Sequence, residues 1–458
     1  LVGSEMCIRD RINCRRRKLM ITDNNKKLAQ WAMDFALKNG CQAAKVVLYA
    51  NSNTSFELRD AKMDRLQQAS ESGMGINVYV DGRYGNYSTN RLDKKELETF
   101  IKNGIESTRY LAPDEFRVLA DPARYYTGGK PDLQMFDDKI FGINPDDKVA
   151  LARAAAGEVM GKNDRIISVE TSYSDGENAS YRLMSNGFEG ESKSTWYSVS
   201  ASVAIKGEGE ARPSDYWYGS SLFYDKLPKT DIGSVALERV LRKLGQKKAK
   251  SGKYTMVVDP INSGRMLSPV LSALYGSSLQ QKNSFLIDKL DQKVFSDKLT
   301  VMDDPHVIGA NGSRYFDNEG VATEHRPIFE NGVLKTYFFD TYNAKKMGVA
   351  PTISGPSRLV LTPGDKDLNG LIADVANGIL VTGLNGGNSN SNTGDFSYGI
   401  EGFLIENGKL TQPVNEMNVT GNFLTLWNSL AAIGNDARTD RSWLVPSLVF
   451  EGVDFSGL

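Results

Sequence analysis

Histidine is almost missing from this chain: there are two in 458 residues, His306 and His325. They stand nineteen residues apart, so no His-x-x-x-His pair exists and every zinc motif built on one is excluded. Three cysteines cannot make a four-thiolate zinc or iron–sulfur site. An excess of one charge is lacking too. The chain holds 55 Lys and Arg against 56 Asp and Glu, without the clustered basic surplus of a nucleic-acid surface. No apolar run nears the ~20 residues of a membrane-spanning helix. What is present is ordinary for a globular protein: 40% hydrophobic and 24% charged residues, over a length that suggests roughly two or three domains.

Residues 1–19, LVGSEMCIRDRINCRRRKL, differ from the rest. They hold Cys7 and Cys14, and six basic residues against two acidic ones. An export signal would need an apolar segment after Arg15–Lys18, and the polar run from Ile21 supplies none. The segment reads as a miscalled start or a translated cloning scar, with Met20 as the initiator. Without it, 49 basic residues face 54 acidic ones, a net charge of −5, and Cys41 is the one remaining thiol. A lone thiol excludes an intrachain disulfide framework and suits a reducing cytoplasm.

From residue 20 the pattern is α+β. Leu28, Trp31, Ala32 and Phe35 fall on one helical face between about Asn24 and Asn39, ended by Gly40. Lys45–Tyr49 reads as a strand, and Gly75–Val80 with Arg83–Tyr87 as a hairpin about Asp81-Gly82. Asp93 and Glu96 form a capping-box pattern before a second amphipathic helix. This first α+β region spans 20–112, and a Pro- and Gly-containing connection spans 113–143. The second region, 144–250, starts on Asn144-Pro145, a helix-start signal. It continues through strands Arg165–Ser174, Tyr181–Gly190 and the alternating Tyr197–Ile205. A helix over Asp231–Lys248 ends it, with Arg242, Lys243, Lys247 and Lys248 expected at a solvated terminus. In 251–458, a strand at Tyr254–Val258 and a helix near Met266–Tyr275 precede short apolar runs. These are punctuated by Asn311-Gly312, Asn331-Gly332, Asn377-Gly378 and Asn407-Gly408, which predict a β-rich, largely antiparallel domain.

Few features carry chemistry. There is no Gly-x-Ser-x-Gly elbow, so a serine triad would have to recruit His306 or His325, both expected in loops. Cys41 follows a helix-ending glycine and reads as structural. The pairs Asp303-Asp304, Asp365 with Asp367, and Asp436 with Asp440 read as solvated turns. The most singular stretch is Gly383–Asp395, GLNGGNSNSNTGD. It reads as a loop whose glycines permit close backbone approach, with Asn388, Asn392, Thr393 and Asp395 offering directional hydrogen bonds. It lacks the Gly-Lys-Ser/Thr of a P-loop, which argues against a nucleotide site.

At this loop the chain becomes recognisable. Residues 315–347 (YFDNEGVATEHRPIFENGVLKTYFFDTYNAKKM), 392–427 (NTGDFSYGIEGFLIENGKLTQPVNEMNVTGNFLTLW) and Ile433-Gly434-Asn435-Asp436 together resemble the TldD/PmbA family, also called modulators of DNA gyrase. The resemblance runs from about residue 24 to the C-terminus. It implies a cytoplasmic subunit with a mixed α/β N-terminal portion and a β-rich C-terminal one. It also implies that a TldD-type chain pairs with a PmbA-type (TldE) chain to make a metallopeptidase acting on unfolded or modified peptides threaded into an internal chamber, which this chain would help complete while binding extended peptide. TldD-type chains carry His-Glu-x-x-x-His on the helix after the strand equivalent to Tyr254–Val258, and a Cys ligand near the C-terminus. Here that helix lies within Asn262–Ser278, NSGRMLSPVLSALYGSS, with Asn262, Arg265, Ser268 and Ser272 at the degenerate metal-helix positions, and Arg438–Val445 has no Cys. Gly276–Asp288, GSSLQQKNSFLID, is similar to the PmbA branch.

The resemblance therefore implies a PmbA/TldE-like subunit with no catalytic residue or metal of its own, zinc being expected in a TldD-like partner. Peptide substrate is the expected ligand, with Asn388, Asn392, Thr393, Gly394, Asp395 and Phe396 as groove candidates. Direct nucleic-acid and membrane contacts are not expected. The alternatives are a stand-alone homodimeric peptide-binding or scaffold protein, and a regulator of DNA gyrase.

Overall fold

Thr22 starts the first helix, α1 (Asp23–Lys38), by accepting the Asn25 amide while the Asn25 side chain accepts from Thr22. The structure is a computed structural model that describes residues 21–458; Cys7, Cys14 and the expected start at Met20 lie outside the described residues. Its residues group into two units. One comprises the chain up to Pro122 with Gln134–Leu241, and the other comprises Ala123–Leu133 with Arg242–Leu458.

The first unit is built on one six-stranded antiparallel sheet in the order β3-β2-β1-β4-β5-β6. Its strands are β1 (Ala43–Arg59), β2 (Lys62–Val80), β3 (Arg83–Thr89), β4 (Ile166–Met184), β5 (Phe188–Ile205) and β6 (Ser214–Ser221). Several run far beyond the short strands expected, because Lys45–Arg59 of β1 pairs with Glu170–Met184 of β4 along its length. The two N-terminal α+β regions thus share a sheet. The buried faces of α1 (Ala29, Ala32, Met33, Ala36) and α2 (Lys94–Thr108; Leu97, Ile101, Ile105) cover Val46, Leu48, Ile76 and Val78. Asp93 caps α2 through the Lys95 and Glu96 amides, while the Glu96 carboxylate pairs with Arg91 instead of closing a capping box. Helix α3 (Pro145–Gly157) starts on Asn144 as expected. Cys41 is buried, which pushes its thiol up to about 11 and leaves it inert.

Helix α4 spans only Ile232–Leu241, with the Glu158 carboxylate accepting from the Asp231, Gly233 and Ser234 amides at its start. Of the basic residues expected at a solvated helix terminus, Arg242 and Lys247 are exposed and Lys248 is half-exposed, all beyond the end of the helix, and Lys243 is a correction. Arg242 lies over the Phe403 ring, and Lys243, 6% exposed, pairs with Glu401 at 2.7 Å.

In the second unit, β7 (Gly252–Val258) is followed by α5 (Ser263–Ser272) and the short α6 (Gly276–Gln280). A five-stranded sheet holds β8 (Val301–Asp303), β9 (Arg326–Glu330), β10 (Val333–Leu334), β11 (Leu359–Leu361) and β16 (Trp443–Leu444). The larger sheet holds β7 with β12 (Asn377–Ser389), β13 (Asp395–Glu406), β14 (Lys409–Asn422), β15 (Leu430–Ile433) and β17 (Leu448–Ser456), in the order β14-β13-β12-β7-β17-β15. A further β14–β17 pairing closes β14, β13, β12, β7 and β17 into a ring, which limits exposed sheet edges. Only β7–β12 and β11–β16 are parallel among these pairings, so the expected α+β class with a largely antiparallel C-terminal portion is the one observed.

Asn331-Gly332 and Asn407-Gly408 are the expected hairpin turns, each with positive φ at both residues. Asn377-Gly378 instead begins β12 beside Thr255, and Asn311-Gly312 turns within a loop. The glycine-rich stretch expected as a long loop is mostly strand. Gly383–Ser389 belongs to β12 and pairs with β13, and the turn is confined to 390–394. Gly387 (φ +92°) makes this work, since a Cβ there would lie 2.1 Å from the Ser397 carbonyl oxygen.

Candidate functional site

Helix α5 and the stretch 438–445, the two segments in which the family resemblance places metal ligands, meet in space through residues 441–445 of the latter. They line a cleft of about 370 Å³ that includes Ile261, Arg265, Ser268, Arg441, Ser442 and Trp443. Two of the four degenerate positions, Arg265 and Ser268, therefore face it. Asn262 is buried and already engaged: its Nδ2 donates to the Asp259 carboxylate oxygen Oδ1 and to the Thr382 carbonyl, both at 2.8 Å. Ser272 is exposed on the following turn and donates to the Ser268 carbonyl. Arg265 is exposed and donates to the Leu384 carbonyl at 2.8 Å. Helix α5 thus holds β12 at two points, through Asn262 and Arg265.

Past those points β12 changes character. Its parallel pairing with β7 ends at Val381, while its pairing with β13 continues to Ser389. Asn385–Ser389 is exposed, so it presents one unpaired strand edge. The turn beyond it is stiffened from within. The Asp395 carboxylate accepts from the Thr393 hydroxyl (2.6 Å) and from Asn422 Nδ2 (2.8 Å), bonds that hold it below the usual carboxylate range. Ser391 ties the turn to Asn283 and to the Phe285 amide. Gly394 is buried with φ +81°, close to Phe285.

The six groove candidates accordingly separate. Asn388 and Asn392 present exposed side-chain amides with no hydrogen-bond partner among the described residues. Thr393 and Asp395 are exposed but occupied with each other. Phe396 is in the core, 5% exposed, packed 4.7 Å from Phe423 and 5.6 Å from Tyr398 between ring centroids. As a surface contact for a ligand it is a correction. Phe396 follows the strand alternation that buries Tyr398 and Ile400, a signal visible in the sequence as period two. The Arg441–Trp443 wall of the cleft was not among the expected site residues; its signal was proximity in sequence to the missing cysteine position.

The rival chemistries find no constellation. His306 Nε2 lies 3.0 Å from Thr323 Oγ1, and burial with Lys130 nearby holds the ring below the ordinary histidine range. His325 is exposed beside Asp304. Neither has a serine or cysteine among its described hydrogen-bond partners. Asp303 is no solvated turn residue: it is buried, accepts the Ser357 and Arg358 amides, and is raised by desolvation. Asp367 caps a short helix, and Asp436 accepts from Ser447 and Leu368. Among the described residues, no three His, Cys, Asp or Glu side chains converge as a metal site would require, and no helix is long and apolar enough to cross a membrane.

Comparison with known proteins places this geometry. Three family models match in succession: PmbA/TldA metallopeptidase domain 1 at residues 44–108, the central domain at 138–244 and the C-terminal domain at 251–457. The chain is 28% identical over 438 residues to the "Metalloprotease PmbA homolog" of Haemophilus influenzae, covering 94% of this chain and 96% of that one. It is 26% identical to "Metalloprotease PmbA" of Escherichia coli O157:H7, covering 94% and 97%. A crystal structure from Bacteroides thetaiotaomicron, described as that of a candidate modulator of DNA gyrase, has 73% identity and a TM-score of 0.94, covering 96% of this chain and all of that one. TldE of Thermococcus kodakarensis, at 20% identity and a TM-score of 0.80 over 94% of this chain and all of that one, shares the fold.

Proposed function

The chain belongs to the PmbA/TldD metallopeptidase family, and from that premise we propose that it is the non-catalytic, PmbA/TldE-like partner of a TldD-type zinc peptidase. The donor set at the α5 cleft carries this reading. A catalytic zinc needs three His, Cys or carboxylate ligands and an open position. The cleft offers two guanidinium groups, hydroxyls and an indole. A dication there would meet like charge and neither imidazole nor thiolate, so the residues present do not fit zinc.

The metal then belongs to a separate chain, and this one supplies wall and substrate contacts. An extended peptide can add to an unpaired strand edge through its main chain. The Asn385–Ser389 edge of β12, with the Asn388 and Asn392 amides, is suited to that. The test is native mass spectrometry of this chain expressed with and without a TldD-like chain carrying His-Glu-x-x-x-His. The reading expects a heteromer. A homodimer that ignores the added chain would favour the stand-alone scaffold instead.

A further inference from the structure

We propose that the α5 cleft binds a carboxylate of a peptide ligand, so that the position which lacks metal ligands works as an anion pocket. This rests on the peptide-binding reading above and adds a defined chemical group to it.

The cleft contains Arg265 and Arg441 and no Asp or Glu in its lining. Arg265 is exposed, tethered by one guanidinium nitrogen to the Leu384 carbonyl, and has no acidic partner among the described residues. A guanidinium carries five N–H donors in a planar fork that matches a carboxylate, so the tether leaves donors for a ligand. Ser268 and Ser442 add hydroxyls beside it. Pro260, Ile261, Val445 and the Trp443 ring supply apolar surface for the residue that bears the carboxylate. At about 370 Å³ the space lies at the small end of ligand pockets, enough for the end of a chain rather than a folded segment. The Arg265 bond to Leu384 places this pocket directly against β12, just before its exposed edge begins at Asn385. A peptide lying along that edge would have an anionic group within reach of Arg265.

The carboxylate could be a C-terminus or an acidic side chain, and three probes separate them. They are fluorescein-labelled hexapeptides of Ala, Ser and Leu with a free C-terminal carboxylate, with a C-terminal amide, and with an amide plus one internal Glu. Binding to the full chain alone is read by fluorescence anisotropy. At least one carboxylate form is expected to bind about tenfold or more tighter than the neutral amide. Which form gains identifies the source. Arg265→Gln and Arg441→Gln should each erase the preference, and Arg265→Lys should keep part of it, with thermal unfolding confirming that the variants fold. Equal affinity for all three probes, no binding up to millimolar concentration, or a preference that survives in the Arg265→Gln/Arg441→Gln double variant would overturn the proposal. Because no partner chain is present, such a failure leaves the heteromer reading standing, and loss of the heteromer leaves this result standing.

Discussion

Asn262→Ala should loosen β12 rather than alter any chemistry, because Asn262 occupies a degenerate metal-helix position yet acts as a clamp. Its side chain makes two bonds, to Asp259 Oδ1 and to the Thr382 carbonyl, and is 7% exposed. Alanine removes both donors. A buried acceptor left without its donor costs about 1–3 kcal/mol, but Asp259 Oδ1 keeps the bond from the Asn262 backbone amide, so the loss falls mainly on the Thr382 carbonyl. The Thr382 bond is only partly buried, so water compensates some of that loss. Together these give a destabilisation of about 1–3 kcal/mol, felt locally. Arg265→Ala, at an exposed site, should cost only about 0.5–1.5 kcal/mol. A chain of two units need not unfold in one step, so the assay is amide hydrogen exchange across β7, β12 and β13. Protection should drop for Val381–Leu384 and their partners in Asn262→Ala, and much less in Arg265→Ala. If Asn262→Ala leaves their exchange unchanged within about 0.5 kcal/mol, α5 is not holding β12 and the clamp is wrong.

Phe396→Ala should destabilise the second unit by about 3–5 kcal/mol, as loss of a buried aromatic does, while Asn392→Ala stays within about 0.5 kcal/mol; thermal unfolding compares them. Lys243→Met strands the largely buried Glu401 carboxylate. Discounted for the partial exposure of Glu401, the loss is about 2–3 kcal/mol, and adding Glu401→Leu should recover part of it in a double-mutant cycle. The Asp395 carboxyl titrates below its unfolded value, so its support of the 390–394 turn is present above pH ~3.9 and is lost as pH falls through the lower folded pKa. The protection factor of the Gly394 amide, which donates to the Asn390 carbonyl, should therefore fall in acid, and Asp395→Asn should remove that pH dependence.

Local signals identified elements well wherever neighbours agreed with them. Asn144 and Pro145 start α3 because a cap and a proline act within one turn. Asp81-Gly82 turns its hairpin because both residues take positive φ. Reading failed where a distant partner decided the outcome. Gly383–Ser389 has poor strand propensity and becomes strand by pairing with β13. The helix expected to run to Lys248 stops at Leu241, and the next two residues, Arg242 and Lys243, meet Phe403 and Glu401, some 160 residues away in sequence. The candidate site divided along the same line. The absence of His, Glu and Cys from two segments was legible residue by residue. That those segments face one cleft, with Arg265 and Arg441 in its lining, is a tertiary fact.

The central claim, that this chain completes a peptidase whose metal lies elsewhere, is tested most directly by reconstitution. An unfolded peptide with zinc is given to the purified chain, to a TldD-like chain, and to the two together, and cleavage is followed by mass spectrometry. The account predicts no cleavage and no stoichiometric zinc for this chain alone, and chelator-sensitive cleavage that rises when the two are combined. Robust chelator-sensitive cleavage by this chain alone would contradict it.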